Sequence, residues 1–454
     1  MKKLINMALI CGVLITALGC RKYVEIDPEQ ARELKYYNDY EQLLNNGNAV
    51  VASHNLAIYS GDDCGTESAA WQTNSITWVR AAYSWAVNFY TDQEEDQEWA
   101  SLYKQLYIFN TIVTEVDASL NGTDTQKSGL KAAAKVHRAY NYYMLVNTYG
   151  KQYDAATASS DLGVPMILEP KFTQSLQRAT VAVVYAQIES DLTTALADLP
   201  NLPQFNTQPS KAAVYALLAR VHLAKRNFSE AKRYAELALN LQSTLLNLND
   251  YLVTNVRHPQ RIANAEEIFF KAPQSYPNGF PMSASLQALL GTQDLRYVLY
   301  TVEGTAIQWS NLTGRAFNRS NIVADAVPVG LGVPEMMLIK AECDARANNA
   351  AAAVTTLNTL RRNRFKPTEY ADLAASSAEQ ALRLVIEERT REFMGRGFRW
   401  YDQKRLSKDA GLVPTITRTY QGQTLSLAPN SPRYTFPIGG KYILLNPEIT
   451  QNPR

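Results

Sequence analysis

The chain has 454 residues and carries 45 lysines and arginines against 43 aspartates and glutamates, which gives a formal net charge of +2 at pH 7. This near-neutral balance gives no electrostatic reason to expect nucleic acid as a partner. The length allows one large core or two to three smaller domains. The four cysteines are too few for a disulfide framework, although Cys64 and Cys343 could still form one bridge.

The first twenty residues have the pattern of an export signal. Lys2 and Lys3 precede an apolar stretch over residues 4–18, and small residues stand directly before Cys20. The apolar stretch is too short to span a membrane. The junction resembles a bacterial lipoprotein cleavage site, so we predict a signal peptide over 1–19 and acylation of Cys20. An ordinary cleaved signal is the alternative. Cleavage at this position would remove two lysines and no acidic residue, which brings the net charge from +2 to zero.

Helical periodicity recurs along most of the remaining chain. It predicts single helices over 36–44, 94–116, 126–149, 180–199 and 377–395, and helical hairpins over 211–239 and 333–365. Thr180 and Ser229 are the predicted N-caps. Short strands are predicted at 267–271 and 297–302, and the chain from Gly411 onward is predicted to be non-helical.

The two helical hairpins share one spacing of small and apolar residues. The spacing in the first hairpin recurs in the second, with Ala219, Ala231, Ala235 and Ala238 matched by Ala341, Ala353, Leu357 and Leu360. It resembles the tetratricopeptide repeat, in which small residues let paired helices approach closely. A lone hairpin cannot bury its apolar face. We therefore predict an all-α fold, a tetratricopeptide-like scaffold with long irregular insertions and minor β-structure.

Two blocks, at 61–92 and 248–333, interrupt the helical pattern and are rich in aromatic residues. We predict that both are mostly irregular. Loops of this size are uncommon in compact domains unless they are functional. The two blocks are therefore the places to look for a binding site.

Several separated motifs resemble the SusD/RagB family of nutrient-uptake outer-membrane lipoproteins. Residues 20–28 resemble the family's acylated cysteine and Ile-Asp-x-Pro-like tether, and 334–342 resemble the repeat that opens its C-terminal region. The most specific block is 388–402, with its Glu-Arg-Thr-Arg-Glu-Phe and Gly-Phe-Arg-Trp-Tyr-Asp runs. The chain departs from the family pattern at Arg396, where a glutamate is usual, and at Gly439, which replaces a proline.

The resemblance implies about four tetratricopeptide-like hairpins in one compact unit. Its parts would be an N-terminal SusD-like region at 20–210, a repeat hairpin with a loop-rich insertion at 211–332, and a C-terminal SusD/RagB region at 333–454. It also implies a lipid-anchored, surface-exposed protein of the cell outer membrane that lies over a SusC-like TonB-dependent transporter. Ligands in this family are mostly oligosaccharides, with peptides in the RagB branch. Neither a cofactor nor a catalytic activity is implied.

Sugar-binding sites combine flat aromatic faces with planar polar side chains. The candidate ligand-binding residues are therefore the aromatic residues of the two irregular blocks: Trp71, Trp78, Trp85, Tyr276 and Trp309. The opposing interpretation is burial, because tryptophan is highly buried on average. The seven-residue spacing of the first three would also suit one buried face of a helix. Trp99 and Trp400 lie in helical motifs and are predicted to be core residues.

The charged run at 387–399 contains several carboxylates, but their spacing on one helix favours a structural ion-pair network over acid–base catalysis. The four histidines are scattered and have no metal-ligand spacing, so no catalytic or metal-binding residue is predicted. Two alternatives to oligosaccharide capture stay open: a peptide-binding uptake protein, and a tetratricopeptide-type protein-interaction adaptor without a small ligand. A surface hydrolase has no catalytic constellation to support it.

Overall fold

The computed structural model describes residues 33–171, 173–253, 258–276, 279–318 and 326–454. The predicted signal peptide and Cys20 lie outside these residues. The α-helices of the described residues are α1 Tyr37–Asn45, α2 Gly47–Val50, α3 Ala57–Ser60, α4 Ala69–Asn74, α5 Thr77–Tyr83, α6 Gln97–Glu115, α7 Asp124–Tyr149, α8 Val181–Ala195, α9 Lys211–Ala224, α10 Phe228–Leu241, α11 Ala284–Leu290, α12 Leu295–Tyr300, α13 Val333–Arg346, α14 Ala350–Arg361, α15 Ala378–Glu392, α16 Phe398–Leu406 and α17 Gly440–Leu445. None of them is both long and apolar enough to cross a membrane.

The strands are short and form small separate sheets. They are β1 Ala52–Ser53, β2 Leu162–Pro165, β3 Arg178–Thr180, β4 Glu267–Phe269, β5 Ala272–Pro273, β6 Gly279–Pro281, β7 Thr301–Glu303, β8 Arg315–Asn318, β9 Leu331–Gly332, β10 Ile416–Tyr420 and β11 Gln423–Leu427. The largest sheet has the order β6-β8-β7 and is antiparallel throughout, while β10 and β11 form an antiparallel hairpin.

Eight longer helices form the scaffold. From α6 to α10, each helix packs against the next one along the chain, and α10 then packs against α13, which contacts both α14 and α15. The predicted all-α, tetratricopeptide-like fold is thus confirmed. One continuous hydrophobic core reaches from Tyr40 near the start of the described chain to Ile449 near its end.

The repeated small residues lie where the paired helices meet. All eight side chains of the predicted spacing have zero exposure: Ala219, Ala231, Ala235, Ala238, Ala341, Ala353, Leu357 and Leu360. Small side chains at these positions allow the helices of each pair to approach closely and bury a continuous apolar surface.

The two hairpins also share a turn. Each has a residue with φ of +61°, Arg226 or Asn348, followed by an asparagine that caps the second helix. Asn227 accepts the backbone N–H of Glu230, as Asn349 accepts that of Ala352. The predicted cap Ser229 is therefore wrong, because it already lies in the first turn of α10 and its hydroxyl donates to Asn227. The predicted cap Thr180 is confirmed by its bond from the Val183 N–H.

The inserted blocks contain more regular structure than their sequences predict. The block at 61–92 is mostly irregular, as predicted, but it contains the two short helices α4 and α5, which were not expected. The predicted strand at 297–302 is mostly the end of α12, which begins behind the Asp294 cap, and only its last residues enter β7. The prediction that the chain from Gly411 onward is non-helical is wrong at the short α17, whereas the β10–β11 hairpin before it is consistent with that prediction.

The charged run in α15 forms a buried ion-pair network, as predicted. Arg296 is 1% exposed and pairs with Asp294, Glu388 and Glu392 at 2.6–2.7 Å. Arg364 bonds the same Glu392 carboxylate at 2.8 Å. The two guanidinium groups hold the pKa of Glu392 well below its usual range in spite of its burial. Each of these three carboxylates is thus paired with arginine.

Two further predictions concern cysteines and metals. Cys64 and Cys343 are both free and buried, so they do not form the bridge that the sequence left open. Within the described ranges, no cluster of three or more histidine, cysteine or acidic side chains is suited to a metal ion.

Candidate functional site

Both aromatic blocks and the C-terminal hairpin enclose an open cleft of about 870 Å³. Its lining residues fall within 62–68, 282–287, 313–315 and 414–419, together with Tyr83. A volume of this size lies in the range of small-molecule sites. Residues that are far apart in the chain meet here because the scaffold brings both inserted blocks to the same side.

One wall joins the turn at 61–65 to the end of β6. Ser283 donates its backbone N–H to the carbonyl of Asp63, and Gly65 donates to the carbonyl of Pro281, both at 3.0 Å. The backbones are so close that a β-carbon added to Gly65 would lie 2.9 Å from the Ser283 β-carbon. A glycine is required at this approach. The segment 61–65 is itself a turn, closed by the Cys64 N–H on the Gly61 carbonyl at 3.2 Å.

The opposite wall depends on Arg418 in β10. Its guanidinium is buried and donates to the carbonyls of Tyr59, Ser60, Gly61 and Tyr83. Carbonyl oxygens at these positions satisfy a buried cation that would otherwise be costly to desolvate. The hairpin is thereby fixed against the aromatic block.

Gln72 makes a second connection between the same two elements. Its side-chain amide donates to the carbonyls of Thr66 at 2.8 Å and Thr419 at 3.0 Å, and its oxygen accepts the N–H of Gln421 at 2.7 Å. All three bonds join α4 to the neighbouring turn or to the β10–β11 hairpin. The cleft therefore has fixed walls before any ligand enters.

The pKa values of two adjacent carboxylates beside the cleft are shifted in opposite directions. Burial alone would raise the pKa of Asp62, but the Arg399 guanidinium, at 2.6 Å and 2.8 Å from its oxygens, holds that pKa below the usual range. Asp63 is 2% exposed, and burial together with the Asp62 charge raises its pKa to about 7. Asp62 thus stays ionised near neutrality, while Asp63 holds its proton below pH 7.

Trp309 is the most exposed large hydrophobic residue of the described chain, at 85%. Its backbone has a φ of +63°, which side-chain-bearing residues seldom adopt. The loop is held on both sides, because Ser68 donates its hydroxyl to the Asn311 carbonyl at 2.8 Å and Gly304 donates to the Gly314 carbonyl at 2.7 Å. The Trp309 indole is thus exposed to solvent on a loop whose backbone is held next to Ser68 and Gly314, two residues that line the cleft.

The other predicted aromatic residues are less accessible. Trp85 is 1% exposed, and its indole N–H donates to the Ser60 carbonyl at 3.0 Å. Trp71 is 4% exposed and packs edge-to-face on Tyr83. Tyr276 is 9% exposed and donates to the Gly395 carbonyl at 2.8 Å. Their burial leaves these three rings no free face for a ligand in this conformation.

Trp78 is intermediate, because its half-buried ring packs edge-to-face on Tyr59 at 6.0 Å. The five candidate rings are thus three buried anchors, the half-buried Trp78 and the exposed ring of Trp309. Trp99 and Trp400 are core residues, as predicted, at 5% and 0% exposure.

The sequence interpretation missed the C-terminal wall of the cleft. Arg418 carries no local motif, since its carbonyl partners lie more than 330 positions earlier in the chain. A hairpin signal was present in Gln421-Gly422, whose φ values of +49° and +78° suit a tight turn between strands.

Sequence models of one family match the two ends of the chain. A SusD-like model described as "Starch-binding associating with outer membrane" matches residues 22–223, and a model described as "SusD family" matches residues 333–454. No curated protein sequence gives a significant match.

Solved structures with this fold cover nearly all of the chain. A SusD superfamily protein from Bacteroides thetaiotaomicron has a TM-score of 0.74 at 20% identity, and the match covers 92% of this chain and all of that one. A SusD-like carbohydrate binding protein from Bacteroides vulgatus has a TM-score of 0.69 at 21% identity, with 91% and 97% covered. The surface glycan-binding protein A from Bacteroides uniformis has a TM-score of 0.68 at 17% identity, with 91% and 99% covered. The resemblance drawn from the motifs is confirmed, and the chain belongs to the outer-membrane-associated SusD/RagB family.

Proposed function

We propose that this protein is a lipid-anchored binding protein that captures oligosaccharides at the outer-membrane surface for import. The observation that carries the proposal is the 85% exposed Trp309, held on a fixed loop beside the 870 Å³ cleft. An exposed indole on such a loop offers its apolar face to a ligand at little cost in conformational entropy.

The chemistry of the cleft suits a neutral polar ligand. Hydroxyl groups of Thr66, Ser285 and Thr417 and the amide of Gln287 are among its lining groups. They can exchange hydrogen bonds with sugar hydroxyls, while the indole packs on the C–H face of a pyranose ring. Arg418 and Asp62 are already bonded within the protein, and Glu67 is an exposed carboxylate of the lining that can accept hydrogen bonds from sugar hydroxyls. The names of two structural neighbours, a carbohydrate binding and a glycan-binding protein, agree with this class of ligand.

An oligosaccharide array tested beside a peptide array would check the ligand class. We expect the purified protein to bind at least one glycan and Trp309→Ala to lose that signal. Thr417→Trp should also lose it, because Thr417 is exposed on β10 and a large ring there would fill the cleft. Binding to peptides alone would favour the peptide-binding alternative, and binding to neither array would favour the protein adaptor.

The membrane anchor and the partner need separate tests. We propose that Cys20 is acylated and that a SusC-like TonB-dependent transporter receives the ligand. A Cys20→Ala variant should lose incorporation of labelled palmitate and leave the membrane fraction, while glycan binding in solution is unchanged. The wild-type protein should co-purify with a barrel transporter from mildly solubilised outer membranes. Unchanged labelling of the variant would contradict the anchor.

A further inference from the structure

A second cleft, of about 590 Å³, lies at the C-terminal end of α7. Its lining residues fall within 151–162, 404–408, 430–435 and 452–453, and none of them lines the cleft beside Trp309. The two clefts are therefore lined by different parts of the chain, and a ligand bound in one cleft would leave the other cleft free.

Lys404 is the unusual residue of this second cleft. It is 4% exposed, and its ammonium donates to the carbonyls of Asn147 at 2.7 Å and Gly150 at 2.6 Å. An ammonium has three N–H donors, so one remains. No ion pair within the described part of the chain joins Lys404 to a carboxylate, and burial without such a partner lowers its pKa to about 7.

The acidic groups of the cleft are engaged elsewhere. Asp161 accepts from Lys151 at 2.5 Å, and Asp154 accepts from Lys408 at 2.8 Å. Each carboxylate therefore already has its own lysine, and Lys404 is left without a counter-charge for the ammonium that it carries below about pH 7. A carboxylate that entered the cleft could pair with this ammonium and repay part of the cost of its burial.

The remaining lining is polar. Hydroxyl and amide groups of Ser160, Ser431 and Asn430 line the cleft. Tyr434 is 3% exposed and packs against the Trp400 ring at 4.8 Å, so its orientation is fixed but its ring presents no free face to a ligand. Hydroxyl partners and one cation without a counter-charge together match the hydroxyls and the acid group of a uronic acid.

We infer that this second cleft binds a carboxylate-bearing saccharide unit, with the Lys404 ammonium as the partner of the carboxylate. The site is separate from the neutral-glycan site proposed above and stands if that proposal fails.

The test compares galacturonate with galactose, which carries CH2OH in place of the carboxylate. Both sugars are titrated into the full mature protein, by calorimetry or ligand-observed NMR, at about pH 6, where Lys404 is an ammonium and galacturonate a carboxylate. We expect galacturonate to bind at least tenfold more tightly than galactose. Lys404→Met should weaken the affinity for galacturonate at least tenfold. Lys104→Met, which removes an exposed charge on α6, should leave that affinity unchanged.

A second variant covers the case in which Lys404→Met fails to fold, since the lysine also bonds the end of α7. Ser160 is exposed at the cleft, so Ser160→Trp should block the ligand without touching the core. Galacturonate binding that matches that of galactose, or that survives in folded Lys404→Met or in Ser160→Trp, would overturn the inference. Tighter binding of the dipeptide Ala-Ala than of galacturonate would also overturn it, by assigning the cleft to a peptide carboxylate. Trp309→Ala should leave galacturonate binding intact.

Discussion

The guanidinium of Arg418 lies 4.4 Å from the centre of the Trp85 indole ring, and it lies at the same distance from the Tyr83 ring. Arg418 and Trp85 are 333 positions apart in the chain, and their contact joins the C-terminal hairpin to the first aromatic block. The contact also explains why Trp85 is not available to a ligand. The Arg418 cation covers its ring face, and its indole N–H is bonded to the Ser60 carbonyl.

Replacement of Arg418 should therefore destabilise the fold. Arg418→Leu removes a cation–π contact and leaves several buried carbonyls without donors, so we expect a loss of about 3 kcal/mol in the free energy of unfolding. Urea denaturation followed by circular dichroism measures it. Arg383→Leu, at an exposed arginine on α15, is the matched control and should change stability by less than about 0.5 kcal/mol. Equal losses in both variants would contradict the anchoring role.

The buried network around Arg296 should be more important for stability than any surface ion pair. Arg296→Met leaves Asp294, Glu388 and Glu392 without one of their cations. Breaking a buried ion pair in this way lowers the free energy of unfolding by about 3–5 kcal/mol. The control is Arg233→Met, whose pair with Glu230 is exposed and should contribute less than about 1 kcal/mol. Denaturant midpoints of the two variants can be compared directly. A loss for Arg296→Met no larger than that of the control would show that the network is not stabilising.

Glu267 should make the stability depend on pH. Burial raises its pKa to about 8, while the unfolded value is about 4.3. Between these two pKa values, the folded state holds a proton that the unfolded state has lost. The contribution of Glu267 to the free energy of unfolding is therefore fully present below about pH 4.3 and is lost as the pH rises through about 8. Glu267→Gln, which mimics the protonated form, should therefore have a higher Tm than wild type at pH 9 and the same Tm at pH 4.5.

Thermal melts at the two pH values test this difference. The exposed Glu379→Gln is the control and should not show a Tm gain that grows with pH. A constant offset for Glu267→Gln at both pH values would contradict the raised pKa.

The two tryptophans of the aromatic blocks should respond differently to truncation. Trp85→Ala opens a cavity in the core and should cost about 3–5 kcal/mol of unfolding free energy. Trp309→Ala removes a ring that is 85% exposed and should change stability by less than about 0.5 kcal/mol. A large loss for Trp309→Ala would mean that its ring packs in the fold, and it would no longer be available as a presented binding surface.

The scaffold could be predicted from sequence because its signals are local. Alanines at helical spacing and an asparagine at the turn indicate each pair of helices. The second hairpin repeats the residue spacing of the first. The short helices α4 and α5 were missed because six or seven residues give too little periodicity to distinguish a helix from a loop.

The cleft could be predicted only in part. The sequence located the aromatic blocks but could not separate Trp309 from Trp85, because burial depends on contacts made across the fold. Arg418 covers Trp85, whereas Trp309 lies on a loop that is held by its backbone and leaves the ring uncovered. Lys404 gave no signal either, since its partners are the end carbonyls of a helix more than 250 positions earlier.

The central claim is that the exposed indole beside the larger cleft binds glycan. Isothermal titration of a glycan that the array identifies, with wild type, Trp309→Phe and Trp309→Ala, tests it most directly. Stacking on aromatic rings predicts that the phenylalanine variant keeps most of the affinity while the alanine variant loses at least about tenfold, or 1.4 kcal/mol. Equal affinities for all three proteins would contradict the claim.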